Sequence, residues 1–553
     1  MVIHSKAKAE KYGSVYTPDT LADFVAQLIC DEMSPNASHI NVLDPACGEL
    51  SLLAAICRSK LDSSVDRYIG VDFDGEAISN CKDIAVGFNQ EIELIESDFI
   101  CPKKSRGASA NWWIKHDVKP DVVISNPPWS GDKIYDRARL SRAGITLAEG
   151  QYDSYVLFID LCMQLLAENG IAGFILPDSL FSASNEPLRR YIASNYQIAL
   201  LARLGEKLFP DVHRATTVLI VRKSRPMPES ITKCFRLDTR GRRSVLKGES
   251  SFADLYKRFF HSVHQSRFVV DPLCRYDIDT REGEEVLIDA ICKRSIEGSS
   301  LFTFNRGVEI SKNGLLVCCP NCGNYQGVTK KQIEKSSRKC QACGKSFNPA
   351  NPIFAIESEP SEGTEKIIVG EDMARYELRG VRHIKIGLKG VSYKSNCIYE
   401  KPKILVRKTG LGINAALDLN GTMVTQTVYM LSFKNDAMSE DLYWYYLSIL
   451  NSRVVFYLYL KRFGEIEWKS HPYLTKSTLL SLPLLNHALI DHTTIIKIGR
   501  LGQKLQSEYS HELDVELEME ICKAYELTAE QIDMIRTEMN NMPDLSSINR
   551  MKY

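Results

Sequence analysis

Residues 124–131 read ISNPPWSG and close the apolar run Val122, Val123, Ile124. Asn126 carries an amide oxygen that accepts hydrogen bonds. Pro127 and Pro128 stiffen the backbone and remove two N–H donors, so carbonyls are the local polar groups. Trp129 adds a flat apolar plate. Together these suit a planar, amine-bearing guest, with acceptors for its N–H groups and a ring for its face. A plain rigid turn is the bland alternative.

Three other turns carry polar groups where strands are expected to end. VLDPACGELSLL, residues 42–53, reads as strand, tight turn and helix. Ala46, Cys47 and Gly48 let a ligand approach the backbone closely, and the helix start offers N–H groups to a carboxylate. In YIGVDFD, residues 68–74, Asp72 is placed to accept from ribose hydroxyls, while Asp74 is the better helix cap. In ESDF, residues 96–99, Asp98 and Phe99 suit the amine and the face of an adenine ring. No G-x-x-x-x-G-K-[ST] loop occurs, which argues against an ATPase. These turns point to an adenosine-type cofactor without separating NAD from S-adenosylmethionine.

A second constellation is CCPNC…CQAC, residues 318–343. Cys319 and Cys322 form one C-x-x-C and Cys340 and Cys343 another, 17 residues apart, each followed by glycine. Four thiolates at that spacing suit a tetrahedral, structural zinc ribbon. Cys318 is a neighbour able to swap for Cys319. A redox pair or fortuitous spacing are the competing readings.

The elements that must position these residues follow a rhythm. Over the first 225 or so residues, apolar runs at 40–43, 68–71, 92–95, 121–125, 171–176 and 217–221 alternate with helical patterns at 21–33, 51–60, 75–87, 153–168 and 185–194. This predicts an α/β, doubly wound, Rossmann-like sheet, with ligands at the carboxyl ends of its strands. Residues 241–299 read as a linker and helical connection. Residues 300–485 read as a mixed α+β domain with the ribbon at 316–347, and 486–553 as a helical tail. A chain of 553 residues predicts several domains.

Composition narrows the class. Apolar residues make up 44% and charged residues 25%, ordinary for a globular chain. Lys plus Arg equals Asp plus Glu at 69, so only local clustering bears on a polyanionic partner. Between Arg375 and Lys408 ten Lys or Arg face two acids, with tyrosines interleaved, and Lys133, Arg137, Arg139 and Arg142 form a second basic cluster. Either can track phosphates; a solvated charged face competes for the first. The N-terminus has no apolar core of a signal peptide. Residues 442–460 are membrane-like but carry Arg453 at their middle, so a buried helix is expected and no membrane partner. Most of the sixteen cysteines are scattered singly and read as buried thiols of a reducing cytosol.

In this order the motifs resemble the DNA amino-methyltransferases, specifically the gamma class of N6-adenine enzymes of the TaqI type. GSVYTP at 13–18, with Tyr16 and Thr17, looks like that family's N-terminal cofactor motif. DPACG, with Asp44, Ala46, Cys47 and Gly48, looks like its methionine-binding turn. Asp72 looks like its ribose acid and Asp98-Phe99 its adenine-contacting pair. NPPW at 126–129 is similar to its catalytic tetrapeptide. LGEKLFPDVHRATTVLIV at 204–221 resembles the motif whose phenylalanine packs on a flipped base, here Phe209. Looser similarities continue at 304–314, 401–410, 446–453, 469–484 and 517–532, like the family's target-recognition region; the zinc ribbon departs from the basic pattern.

The resemblance implies methyl transfer from S-adenosylmethionine to the N6 amine of a flipped-out adenine in double-stranded DNA. Asn126 and the Pro127 carbonyl would accept the amine hydrogens, with Trp129 and Phe209 on opposite faces of the base. It also implies a bacterial cytosolic setting in restriction–modification or defence, with a separately encoded restriction endonuclease as a possible partner. N4-cytosine methylation, RNA or protein-glutamine methylation, and a zinc-dependent DNA-binding specificity subunit without catalysis are the rivals. Glu467-Trp468-Lys469 matches half of a nuclease motif but lacks an upstream Pro-Asp, so cleavage is not expected.

Overall fold

The computed structural model describes residues 17–553, apart from 104, 106, 130–134, 148–151, 210–213, 312, 335–336, 350, 464–473 and 543–547. The chain divides into two compact units, Met1–Glu282 and Gly283–Tyr553.

The first unit is built on nine strands: β1 Ile40–Asp44, β2 Val65–Asp72, β3 Glu91–Glu96, β4 Val122–Ser125, β5 Ile171–Pro177, β6 Gln197–Gly205, β7 Thr216–Arg222, β8 Ile231–Arg236 and β9 His261–His264. Their order is β3-β2-β1-β4-β5-β7-β6-β8-β9. From β3 to β5 every pairing is parallel; β7 runs antiparallel to both β5 and β6. The chain winds outward from β1 through β2 to β3, then returns to β4 on the other side of β1. The order therefore reverses between β1 and β4, and a crevice opens at their carboxyl ends. Helices Asp19–Glu32, Ser51–Cys57, Tyr155–Leu165 and Glu186–Asn195 flank the sheet. Two apolar clusters, one around Leu43, Phe174 and Trp113 and one around Val42, Ile124 and Ile29, fill this unit. β4 and β5 are buried along their whole length, so the apolar runs read from sequence are central strands.

The expected boundary near 240 is corrected. Residues 241–282 are not a linker: β9 pairs antiparallel with β8 at the sheet edge. Polar side chains bind this segment to the body, as where the buried Gln265 amide bonds the Ile198 N–H and the carbonyls of Ala193 and Tyr196. Three strands, β6, β8 and β9, were not foreseen; QIALLARLG is too uniformly apolar for a period to show.

The second unit holds a four-stranded antiparallel sheet, Phe302–Arg306, Val428–Phe433, Lys403–Arg407 and Ala415–Asp418. The expected single helix over 442–460 is two, Glu440–Leu450 and Arg453–Phe463, broken at Asn451-Ser452. They share one core with Asp491-capped His492–Ser507, His511–Ala524 and Ala529–Asn540, so the helical tail belongs to the body of this unit. No described helix is long and apolar enough to cross a membrane.

Arg453 explains the break. Its guanidinium is fully buried, bonds Asp514 (3.0 Å) and the carbonyls of Met551 (2.9 Å), Lys552 (3.1 Å) and Arg550 (3.2 Å), and forms an ion pair with Glu518 at 3.6 Å. Arg375, also buried, bonds Asp514 and the Asn451 carbonyl. Burial alone would push the Asp514 carboxyl up, but Arg375 and Arg453 hold it below the usual range. Arg453→Ala would leave the buried Glu518 without its cation and Asp514 with Arg375 alone, so it is expected to destabilise the chain by about 3–5 kcal/mol, read by chemical denaturation. A loss near zero would mean the network contributes nothing net.

Candidate functional site

The turn after β1 sits at the point where strand order reverses. Gly48 has φ +48°, which favours a residue without Cβ. Two acids staple the turn from opposite sides. Asp44 Oδ1 accepts the Ala46 N–H at 3.1 Å, and Asp72 Oδ2, across on β2, accepts the Gly48 N–H at 2.9 Å. The Cys47 N–H donates to the Val71 carbonyl at 3.0 Å, and a Cβ at Gly70 would come within 3.1 Å of the Cys47 sulfur. Cys47 is therefore a buried turn residue whose thiol is pushed well up by burial. Helix Ser51–Cys57 starts from Leu50 with no side-chain cap.

Asp72 Oδ1 accepts the Asp74 N–H, while Asp74 itself caps helix Gly75–Ala85. Phe73, which sequence reasoning passed over, follows Asp72 and is 60% exposed. An exposed ring directly after a strand-end acid was the available signal. Asp98 and Phe99 stand differently from expectation. The Asp98 carboxylate already accepts the Cys101 N–H (2.9 Å) and the Tyr135 hydroxyl (2.9 Å), and pairs with Arg139 (3.3 Å). The Phe99 ring is buried against Phe158 and Trp113, whose indole N–H donates to the Phe99 carbonyl. Its ring is core, not a face offered to a heterocycle.

At the end of β4, Asn126 donates from Nδ2 to Thr17 Oγ1 at 3.1 Å. This joins two motifs 109 residues apart and turns the amide oxygen the other way. The Pro128 carbonyl accepts from the Ser154 hydroxyl (2.6 Å), and the Trp129 carbonyl from Arg214 (2.6 Å). Pro127 is buried. Trp129 and Phe209 do come together, but not as two parallel plates. Their centroids are 5.4 Å apart at 84°, and both rings are buried. Edge-to-face contact satisfies the ring quadrupoles and is worth about 0.5–1.5 kcal/mol, so the pair closes on itself. After β5, Asp178 is held by Arg203 and by Thr217 (3.1 Å), and Ser179 by Asp153 (3.0 Å); sequence reading had not singled these out. Tyr16, Lys133 and Glu467-Trp468-Lys469 lie outside the described residues.

In the second unit the four cysteines converge. The sulfurs of Cys319, Cys322, Cys340 and Cys343 all lie within 4.8 Å of one another, with Cys319–Cys343 at 3.8 Å and Cys322–Cys340 at 3.7 Å. Four thiolates about 2.3 Å from a tetrahedral zinc sit about 3.8 Å apart, so the donor set fits. The two loops repeat one geometry. Gly323 and Gly344, both at positive φ, donate to the Cys319 and Cys340 carbonyls. The backbone N–H of Cys343 foremost draws the Cys340 thiol down to about 6. Cys318 is exposed and outside the cluster, so it does not swap for the buried Cys319.

The basic stretch 375–408 does not offer the free charge expected of it. Arg375 pairs with Asp514, Arg379 with Glu377, Arg382 with Asp372, Lys385 with Glu357, Lys394 with Glu309, Lys401 with Asp436, and Lys403 with Asp418. Lys403 is fully buried. Sequence shows a run of cations; only the fold shows which acids from elsewhere meet them.

Residues 1–249 match the family described as N-6 DNA Methylase, and residues 365–484 match the TaqI-like C-terminal specificity domain. The first unit thus has the α/β, Rossmann-like fold of methyltransferases. Among curated relatives, the Type I restriction enzyme MpnII methylase subunit of Mycoplasma pneumoniae is 24% identical over 239 residues, 40% of this chain and 42% of that protein. Type II methyltransferase M.BstVI of Geobacillus stearothermophilus is 22% identical over 245 residues, 40% and 44%. The chain spans less than half the length of these relatives. A cryo-EM structure of the DrdV–DNA complex has the same fold over 92% of this chain and 58% of that one (TM-score 0.51, 12% identity).

Burial foremost, with the negative charge of Asp72, pushes Asp44 up to about 7. An unfolded Asp titrates near 3.9. Between those values the folded chain holds a proton that the unfolded chain has lost, so this group's contribution to stability falls as pH rises through the window. Asp44→Asn keeps the acceptor oxygen and removes the titration. Its Tm relative to wild type is expected to climb between about pH 4 and about pH 7 and to level off above; a gap that does not change with pH would contradict a buried, titrating Asp44.

Proposed function

We propose that the chain is a site-specific DNA methyltransferase acting on the N6 amine of an adenine flipped out of duplex DNA. The single observation that carries this is Asn126. It ends β4 beside the point where strand order reverses, and its amide nitrogen bonds Thr17 Oγ1. The matches to N-6 DNA Methylase and to the TaqI-like specificity domain support the reading, as do relatives named as restriction-system methylases.

A duplex base hides its amine from in-line attack, so the base must leave the stack. Asn126 Oδ1 and the Pro127 carbonyl accept the two N6 hydrogens, which draws the nitrogen lone pair out of the ring. One ring of the Trp129–Phe209 pair swings aside so that the base slides between them. When bound, S-adenosylmethionine would supply the methyl on a sulfonium, with the thioether S-adenosylhomocysteine as leaving group and the displaced N6 proton passing to solvent. The Ala46–Gly48 turn, Asp72, Phe73 and the strand end at Asp98 are the groups that would hold it. Positioning and electrostatics carry the rate. Cys47 takes no part as a nucleophile. The setting we propose is a restriction–modification system of the bacterial cytosol, with an endonuclease as functional partner.

Labelled S-adenosylmethionine and unmodified genomic DNA, digested to nucleosides, test this. Label is expected in N6-methyladenosine, reduced at least about a hundredfold by Asn126→Ala. Label in N4-methylcytosine would keep the chemistry and overturn the base; no label from a folded, zinc-loaded chain would favour a specificity subunit.

The four-cysteine centre is proposed as structural zinc. Among the described residues the ribbon's buried core is Val317, Cys319, Val328, Cys340 and Phe347, with Leu315, Cys322 and Ile333 half-buried against it, too little to hold a fold without a staple. Elemental analysis is expected to find one zinc per chain, lost in Cys322→Ser/Cys343→Ser with new protease cleavage between residues 315 and 354. A metal-free chain with a protease-resistant ribbon would overturn it.

A further inference from the structure

We infer that the zinc ribbon is a phosphate-contacting arm of the DNA-binding surface, in place of the 375–408 stretch that sequence had pointed to. This rests on the DNA methyltransferase reading. Residues 316–347 carry six cations (Lys330, Lys331, Lys335, Arg338, Lys339, Lys345) and one acid, Glu334, in a chain whose charges balance as a whole. With zinc bound, the tetrathiolate centre adds two negative charges, and the ribbon stays positive.

The distribution of ion pairs is what separates the two basic regions. In 375–408 seven of the ten cations are neutralised by acids. In the ribbon, Lys331, Lys339 and Lys345 are exposed, and these three and Arg338 form no ion pair among the described residues. Arg338 only touches the Gln332 amide oxygen at 3.2 Å. A cation already paired with a carboxylate gains little from a phosphate, because the carboxylate must first be released into water. An unpaired one releases a condensed counterion from DNA on contact.

The ribbon is also held in place. Its strand Leu315–Cys318 pairs with Ile353–Phe354, and the Lys389 ammonium donates to the Cys322 carbonyl at 2.9 Å while the Lys389 carbonyl accepts the Tyr325 N–H at 2.7 Å. The strand pair Arg338–Lys339 and Ser346–Phe347 sets Arg338 and Lys339 on the second knuckle, with Lys345 in the turn between these strands. A fixed basic surface positions DNA without reading its bases.

The test is the salt dependence of DNA binding by the zinc-loaded full chain. Lys331→Gln/Arg338→Gln/Lys339→Gln/Lys345→Gln is expected to flatten the slope of log K against log salt by about 2 or more, at about 0.9 per lost phosphate contact. Zinc content and S-adenosylmethionine affinity should stay as in wild type. A companion variant with the three lysines changed to arginine should keep the wild-type slope. Lys385→Gln/Lys401→Gln, in the paired stretch, should leave the slope unchanged. If the wild-type slope is steep and the four-fold variant matches it, or if the paired-stretch variant flattens it instead, the ribbon inference falls and the methyltransferase reading stands. If the wild type shows no salt-dependent DNA binding, both fall.

Discussion

The first unit depends on how two carboxylates, the buried Asp44 and the half-buried Asp72, close one turn. Where β1 ends, the sheet ladder stops and the N–H groups of Ala46 and Gly48 have no strand partner. Buried donors left unbonded are costly. Asp44 meets one from its own strand and Asp72 meets the other from the neighbouring strand. The same atoms that would bind a cofactor therefore also hold its cradle open. Burial disfavours their ionised form, so the unit carries two acids that a purely structural turn would not need.

Around that turn, the candidate site is assembled from strand ends. Asn126 comes from β4, Asp72 and Phe73 from β2, Asp98 after β3, and the Asp178–Arg203–Thr217 knot after β5. A parallel sheet points all its carboxyl ends one way, so distant segments of the chain deliver groups to one edge. The closed Trp129–Phe209 contact and the Asp98–Tyr135–Arg139 contacts show that these strand ends already bond one another. Work at this site exchanges those contacts for others of similar strength, which keeps the cost of opening to the order of 1 kcal/mol per contact.

The second unit solves a different problem, how to bury long cationic side chains. Arg453 and Arg375 share Asp514, and Lys403 is enclosed with Asp418, whose carboxylate also bonds Thr422. Such pairs add little net stability over apolar packing but strongly penalise misassembly, because a lone buried charge is expensive. Together with exposed pairs such as Arg379–Glu377 and Lys401–Asp436, they take up most of the positive charge of the 375–408 stretch. Charge that faces solvent remains on the ribbon, which has almost no core of its own and is tied down by its strand pairing and Lys389.

The sequence alone determined the elements and the chemistry-bearing types. Apolar runs at 40–43, 68–71, 92–95, 171–176 and 217–221 became strands because each is flanked by turn residues and helical periods. The Asn-Pro-Pro-Trp tetrapeptide and the paired C-x-x-C knuckles were legible because their chemistry is local: neighbours in sequence are neighbours in space. What tertiary structure alone decided was non-local. Gln265 tied 241–282 to the first unit, Thr17 oriented Asn126, and Phe99 went into the core while Phe73 stayed at the surface. Pairing also decided which cations are spent and which face solvent. An acid more than a hundred residues away, as Asp514 is from Arg375, neutralises a charge that no window along the chain can see.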